Sequence, residues 1–253
     1  MSLTTPPPLE QPALPEGQLL YAVGDIHGRS DLLRRLLDEI AADAASSSCA
    51  RTKTLVFLGD YVDRGPDSKG VIDILLGGLL RGFDARFLKG NHEALLLGFL
   101  YGATPLDHWR INGGDATMAS YGVDIERLFG SGASAEAWRS ALAEALPPAH
   151  LAFFKSLELT LSFGDYLFVH AGLRPGVPLA AQGEADIIWI RSPFLDHAGS
   201  FGKIVVHGHT PGDEPVTRTN RIGIDTGACF TGRLTALRLE GSDRRFLQTQ
   251  AWK

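Results

Sequence analysis

Five short segments of the 253-residue chain carry acid, imidazole and amide side chains beside glycine. They are Gly24-Asp25-Ile26-His27-Gly28, Gly59-Asp60-Tyr61-Val62-Asp63-Arg64-Gly65, Gly90-Asn91-His92-Glu93, His170-Ala171-Gly172 and His207-Gly208-His209-Thr210. Their hard oxygen and borderline imidazole donors suit manganese, iron or zinc better than calcium. Six such donors exceed what one tetrahedral cation uses, but they suit two cations that share a carboxylate. A pair of cations about 3.5–4 Å apart is a recurring device for in-line displacement at phosphorus, where it acidifies a water and neutralises the phosphoryl oxygens. Taken singly, each segment could be a capped turn or hold a satisfied histidine. His108, His150 and His197 are placed in that plain class.

The elements that must position these groups are legible as apolar runs. Leu19–Val23, Thr54–Leu58, Ala85–Leu88, Tyr166–Val169 and Lys203–Val206 read as strands buried on both faces, and each runs directly into one of the five segments. In open α/β sheets, sites form beyond the carboxyl ends of strands. Chance would have to place a ligand after every one of the five. Arg221–Ile224 and Leu234–Leu239 are two further strand candidates. Helical patterns cover Asp31–Ala45, with Ser30 or Asp31 as N-cap, and also Ser68–Leu80, Glu93–Tyr101, Ala135–Ala145 and Pro148–Leu157. Strand and helix alternate early, which argues for a layered α/β fold. The later strands show no helix between them, so part of the sheet is expected to be antiparallel. One domain over residues 19–253 is expected, preceded by a disordered Pro-rich tail over 1–18 that holds five prolines.

In that order, GDIHG, GDYVDRG, GNHE, HAG and HGHT resemble the calcineurin-like metallophosphoesterases, and within them the phosphoprotein phosphatase branch in its compact bacterial form. The resemblance spans positions 24 to 210. It implies a sandwich of two mixed β-sheets flanked by helices, and two divalent or trivalent metal ions, manganese first, with iron or zinc as alternatives. It further implies that Asp25 and His27 bind one metal, that Asp60 bridges both, and that Asn91, His170 and His209 complete the second site. His207 would end its strand or support a ligand from behind. His92 takes the role of general acid for the leaving alkoxide, with Asp63 orienting it. A positioned imidazolium is the natural donor near neutral pH, and a carboxylate partner raises its pKa. A cap or an ion pair with Arg64 is the plainer alternative for Asp63. Arg64 would clamp the phosphate through its planar fork. Arg191 is the candidate for a second clamp, against a simple surface arginine. Asp225 is expected to support the site rather than ligate, and Arg29 and Lys89 border it without a role.

The resemblance implies a phosphomonoesterase of the serine/threonine protein phosphatase type. Its substrates would be phosphorylated proteins or small phosphoesters. The competing reading is symmetric diadenosine tetraphosphate hydrolysis. That sister group typically reads GDLVARG and GNHD, whereas this chain has Asp63 and Glu93. A silent metal-binding scaffold would be expected to have lost a ligand or the acid. Segment 102–165, with Trp109-Arg110-Ile111-Asn112-Gly113-Gly114, would cover the cleft and set specificity, or merely decorate the sandwich.

Composition agrees with an enzyme of this kind. With 44% hydrophobic and 21% charged residues the chain is globular, and a net charge of −5 argues against a nucleic-acid or membrane partner. No apolar stretch is long enough to span a bilayer. Two cysteines, Cys49 and Cys229, fit incidental thiols in a cytoplasmic protein. Covalent phosphoryl transfer is disfavoured, since there is no D-x-D motif, no cysteine–arginine signature and no Walker A loop.

Overall fold

The computed structural model describes residues 9–47, 51–78 and 81–250. Cys49 and residues 1–8 of the expected tail lie outside the described residues. Strand β1 (Gln18–Val23) lies at the centre of a five-stranded sheet. It runs parallel to β2 (Thr52–Phe57), which is itself parallel to β3 (Phe83–Phe87). On its other side β1 is antiparallel to β9 (Thr235–Glu240), which pairs with β10 (Asp243–Gln248) at the edge. The second sheet follows the order β4 (Thr160–Phe163), β5 (Tyr166–Val169), β6 (Ile204–His207), β8 (Arg221–Gly223) and β7 (Val216–Thr217). Its inner pairs are parallel and its outer pairs antiparallel. Both sheets are therefore mixed, as expected.

Side chains alternate along these strands, and the alternation builds three layers of core. Leu20, Ala22, Val56, Leu58 and Leu237 of the first sheet meet Tyr166, Phe168, Ile204, Val206 and Ile222 of the second. The opposite face of the first sheet, Leu19, Tyr21, Val23, Leu55 and Phe57, packs on the helices. These include α1 (Ser30–Ser46), α2 (Ser68–Leu76) and α3 (Asn91–Leu100). The insertion between α3 and β4 adds α4 (Leu106–Ile111), α5 (Gly114–Ser120), α6 (Ile125–Gly130), α7 (Ala135–Ala145) and α8 (Pro148–Ser156). Beyond the second sheet, Leu167, Val169 and Val205 pack on Ile187 and Ile188 of α9 (Glu184–Trp189). The molecule is an α/β/β/α sandwich. Among the described residues no helix is long and apolar enough to cross a membrane.

Several expectations need correction. Part of the tail is packed. Leu14 is buried between the sheets, its N–H donates to Gly241 O at 2.9 Å, and the Tyr166 hydroxyl donates to Pro12 O at 3.1 Å. The packed chain therefore starts ahead of β1. Ser30 opens α1 rather than capping it, because its hydroxyl donates to the Asp67 carboxylate. Helix α2 stops at Leu76, where Gly77 and Gly78 (φ 82°) follow. Helices do separate the later strands, namely α9 and the four-residue α10 (Ala228–Thr231), which are too short to show a periodic stripe.

Candidate metal centre and active site

The site lies where β1, β2, β3, β5 and β6 end. The loop after β1 and the loop after β2 are laced by their backbones: Ile26 and His27 N–H donate to Asp60 O at 3.1 and 2.8 Å, and Gly28 N–H donates to Tyr61 O at 2.9 Å. The contact is too close for a side chain at Gly65, where a Cβ would stand 1.9 Å from His27 O. Glu93, fully buried in the first turn of α3, clamps the second loop to the third. Its carboxylate accepts from Asp60 N at 2.9 Å, Tyr61 N at 2.8 Å and Gly90 N at 2.9 Å. This lacing holds residues in conformations they would otherwise avoid. His27 (φ 45°), Asp60 (53°), Asp63 (70°), Arg64 (68°) and His209 (65°) are the left-handed non-glycine residues among those described; the first four belong to the laced loops and His209 to the loop after β6. Each such conformation costs about 1–3 kcal/mol, and such strain gathers at functional sites.

Asp60 sits between two clusters. Its Oδ2 is 3.5 Å from His27 Nε2, and its Oδ1 is 3.4 Å from His170 Nε2. Ligand atoms of Asp60, His27 and His92 lie within 4.8 Å of one another, as do those of Asp60, His170 and His209. Asn91 Oδ1 joins the second cluster, 3.0 Å from His170 Nε2 and 2.8 Å from His209 Nδ1. Backbone carbonyls orient two of the rings from behind, Val62 O at 2.8 Å from His27 Nδ1 and Leu58 O at 2.8 Å from His170 Nδ1. Asp25 completes the constellation: its Oδ2 accepts from His209 N at 2.9 Å. The six sequence-named donors are thus brought together, all of them buried.

His92 stands at the edge of the first cluster. Its Nδ1 is 2.7 Å from Asp63 Oδ2, and its Nε2 is 3.9 Å from Asp60 Oδ2. Asp63 neither caps a helix nor pairs with Arg64; Asp67 caps α2. Instead, Asp63 accepts from Trp109 Nε1 at 3.2 Å and from Thr117 Oγ1 at 2.6 Å, while its N–H donates to Thr117 and Ser68. Neither Trp109 nor Thr117 carries a sequence signal of a site role, although both fall within segment 102–165, which is expected to cover the cleft. Arg64 is exposed, with Nη1 2.9 Å from His27 Nε2, and its N–H donates to Gly113 O. Arg191, also exposed, reaches His209 O at 3.4 Å.

The remaining residues named from sequence fall nearby or in the framework. Asp225 is buried and accepts from Gly227 N at 2.9 Å. His207 ends β6, buried, with Nδ1 3.0 Å from Gly208 O. Arg29 pairs with Asp31, Lys89 with Glu184, and His150 is satisfied by the Tyr121 hydroxyl and Asp73. Burial pushes the Cys229 thiol up to about 11, so it stays protonated.

The electrostatics fit bound cations. Burial, reinforced by Asp225, pushes the Asp25 carboxyl well above the usual range. Burial and the Asp60 charge push Glu93 up to about 7. Burial alone would also raise Asp60, but His170, His92 and His27 outweigh it and hold Asp60 well below the usual range. His170 is pushed up to about 10: burial disfavours its charge, and the Asp60 carboxylate more than compensates. Burial drives His27 and His209 down to about 3, leaving neutral rings available as ligands. Asp25 Oδ1, His209 Nε2 and His92 Nε2 are buried without a hydrogen-bond partner. Unpartnered polar atoms beside clustered acids are what a polyvalent cation relieves.

The family model described as calcineurin-like phosphoesterase matches residues 19–238. The chain belongs to this family. It is a hydrolase of phosphoric esters. A serine/threonine-protein phosphatase 1 of Salmonella typhimurium is 29% identical over 229 residues, covering 87% of this chain and 92% of its own. An asymmetrical bis(5'-nucleosyl)-tetraphosphatase, PrpE, of Bacillus thuringiensis is 27% identical over 244 residues, covering 85% and 88%. A solved candidate diadenosine tetraphosphatase superposes with a TM-score of 0.60 at 22% identity, over 96% of each chain, and supports the fold.

Proposed function

We propose that this phosphoesterase hydrolyses phosphomonoesters at a dinuclear centre. Asp25 and His27 would hold one cation, Asn91, His170 and His209 the other, and Asp60 both. The observation that carries the reading is Asp60, which offers one carboxylate oxygen to each of two histidine-bearing clusters. Cations bound there would supply a nucleophile from water at neutral pH and neutralise charge on the phosphoryl oxygens. The mixed oxygen and imidazole set suits manganese first, then iron or zinc.

The chain's own side chains supply the rest. Arg64 and Arg191 would grip the phosphate oxygens, their planar forks matching two oxygens each. His92 would protonate the leaving alkoxide from Nε2, because Asp63 occupies Nδ1 and favours the imidazolium. His92 also lies within reach of Asp60 and His27 as a ligand, but the Asp63 pairing favours the acid role.

A phosphoserine or phosphothreonine protein is the proposed substrate. Asp63 and Glu93 support it, as does the similarity to a serine/threonine phosphatase. The similarity to an asymmetrical dinucleoside tetraphosphatase supports diadenosine tetraphosphate as the second reading, in place of the symmetric cleavage weighed from sequence. The deciding experiment compares phosphoserine, phosphothreonine and phosphotyrosine peptides with diadenosine tetraphosphate at one manganese concentration. The proposal expects the peptides to be cleaved with the higher kcat/KM and all activity to vanish on chelation. Preference for the dinucleotide would reverse the order of the two readings.

A further inference from the structure

The outer face of the second sheet holds a second cluster of charged groups, in which cations outnumber acids. A cavity of about 300 Å³ opens between the 195–198 segment and the 218–221 turn, lined by Asp196, His197, Arg218, Thr219, Asn220 and Arg221. Arg221 is only 8% exposed. Its Nη2 donates to Leu195 O at 3.1 Å, its Nη1 lies 3.5 Å from His207 Nε2, and its guanidinium stands 6.0 Å from the Phe194 ring. None of these partners is an anion, and Nε has no hydrogen-bond partner at all. Asp196 acts favourably on Arg221 and Arg218 acts against it, so two guanidinium groups face the one acid of the lining, and an incoming anion would balance the excess positive charge. Arg218 adds a second cation at the exposed rim, where no carboxylate is within ion-pair distance among the described residues. The one acid in the lining, Asp196, accepts from Ser192. The wall is also fixed: Asn220, 4% exposed, donates to His197 O at 2.8 Å and to Gly199 O at 2.7 Å.

We propose that this cavity is a second anion site that takes a phosphate group, with Arg221 at its base and Arg218 at its rim. Two guanidinium groups against one acid match a multiply charged oxyanion better than a carboxylate, and the planar fork matches phosphate oxygens in pairs. None of the six metal donors lines the cavity, although Arg221 touches His207, two residues before His209. Free inorganic phosphate, the product of the reaction, and the phosphoryl group of a second phosphoserine in a peptide present the same chemistry.

Inorganic phosphate titrated into the full-length, metal-loaded protein and into the same protein after chelation separates the two sites by calorimetry. Phosphate binding is expected to survive chelation and to weaken about tenfold or more in Arg218→Glu, with Arg218→Ala in between, for loss of one charge-assisted contact. Arg218 is exposed, and circular dichroism checks that both variants remain folded. A phosphoserine peptide titrated into the chelated protein separates the sources, tighter binding than free phosphate assigning the site to the peptide. Chelated wild type that binds no millimolar phosphate, or variants that bind it as wild type does, would overturn the proposal. If chelation alters nothing while the Arg218 variants lose binding, the metal reading fails and this one stands.

Discussion

At the residue scale the account turns on His92 and the carboxylate behind it. His92→Asn should lower kcat on alkyl phosphates by ~10²–10⁴, the usual range for a general acid, without changing metal content. The loss should be smaller on p-nitrophenyl phosphate, whose leaving group needs less protonation. Equal losses on both, or loss of a metal, would make His92 a ligand instead. Burial alone would lower the His92 pKa, but Asp60 and Asp63 outweigh it and hold the ring above the ordinary imidazole range. The acid form is therefore present below that raised pKa and is lost as pH rises through it. Activity on alkyl phosphates should show an alkaline limb above about pH 6.5, the unperturbed imidazole value. Asp63→Asn should move that limb to lower pH, read from kcat–pH profiles, and an unmoved limb would detach Asp63 from the acid.

At the element scale the insertion between α3 and β4 acts as a buttress. Trp109 of α4 and Thr117 of α5 both donate to Asp63, while the Trp109 ring stacks on Phe99 with centroids 4.9 Å apart. Trp109→Phe preserves an aromatic stack and removes one bond to a charged group, worth about 1.5–3 kcal/mol at most. It should lower kcat on alkyl phosphates and leave metal content and KM nearly unchanged. A change confined to KM would make the helices a specificity lid, and no change in either would make them decoration. The strand ends were legible because β1, β5, β6 and the second half of β2 are buried on both faces and read as apolar runs with a ligand motif after each. Against the expectation, β3 is a partly exposed edge strand and was legible chiefly from the motif that follows it. The buttress was not, because Trp109 and Thr117 lie 46 and 54 residues from Asp63 and carry no local signature of the contact. β10 was missed for another reason: Asp243-Arg244-Arg245-Phe246-Leu247-Gln248 is an exposed edge strand whose polar residues hide the pattern. The fold of the loops was legible in one further respect, since glycine stands at two of their closest approaches, Gly28 against Gly65 and Gly59 against Gly90. Gly65→Ala should show it, because a Cβ 1.9 Å from His27 O must push the first two ligand loops apart. Metal content and thermal stability should fall together, and a variant with wild-type metal content would contradict the lacing.

At the scale of the whole molecule, a chain of net charge −5 gathers Asp25, Asp60, Glu93 and Asp225 in its interior at one edge of the sandwich. Without cations, His170 provides part of the balancing charge. Its folded-state pKa of about 10 lies above the unfolded value, so its contribution to stability is full below about pH 6.5 and is lost as pH rises toward 10. A cation held at the proposed centre would need His170 as a neutral ring and would replace that lost charge, so binding would also release a proton from His170. The rise in Tm on adding manganese should therefore be larger at pH 8 than at pH 6, and an equal or smaller rise at pH 8 would contradict this balance. The central claim, that one carboxylate joins two cation sites, is tested most directly by metal analysis of purified protein beside its Asp60→Asn variant. The account predicts two metal ions per chain in the wild type and depletion of both in the variant. A wild type that saturates at one ion, or a variant that loses only one of two, would contradict it.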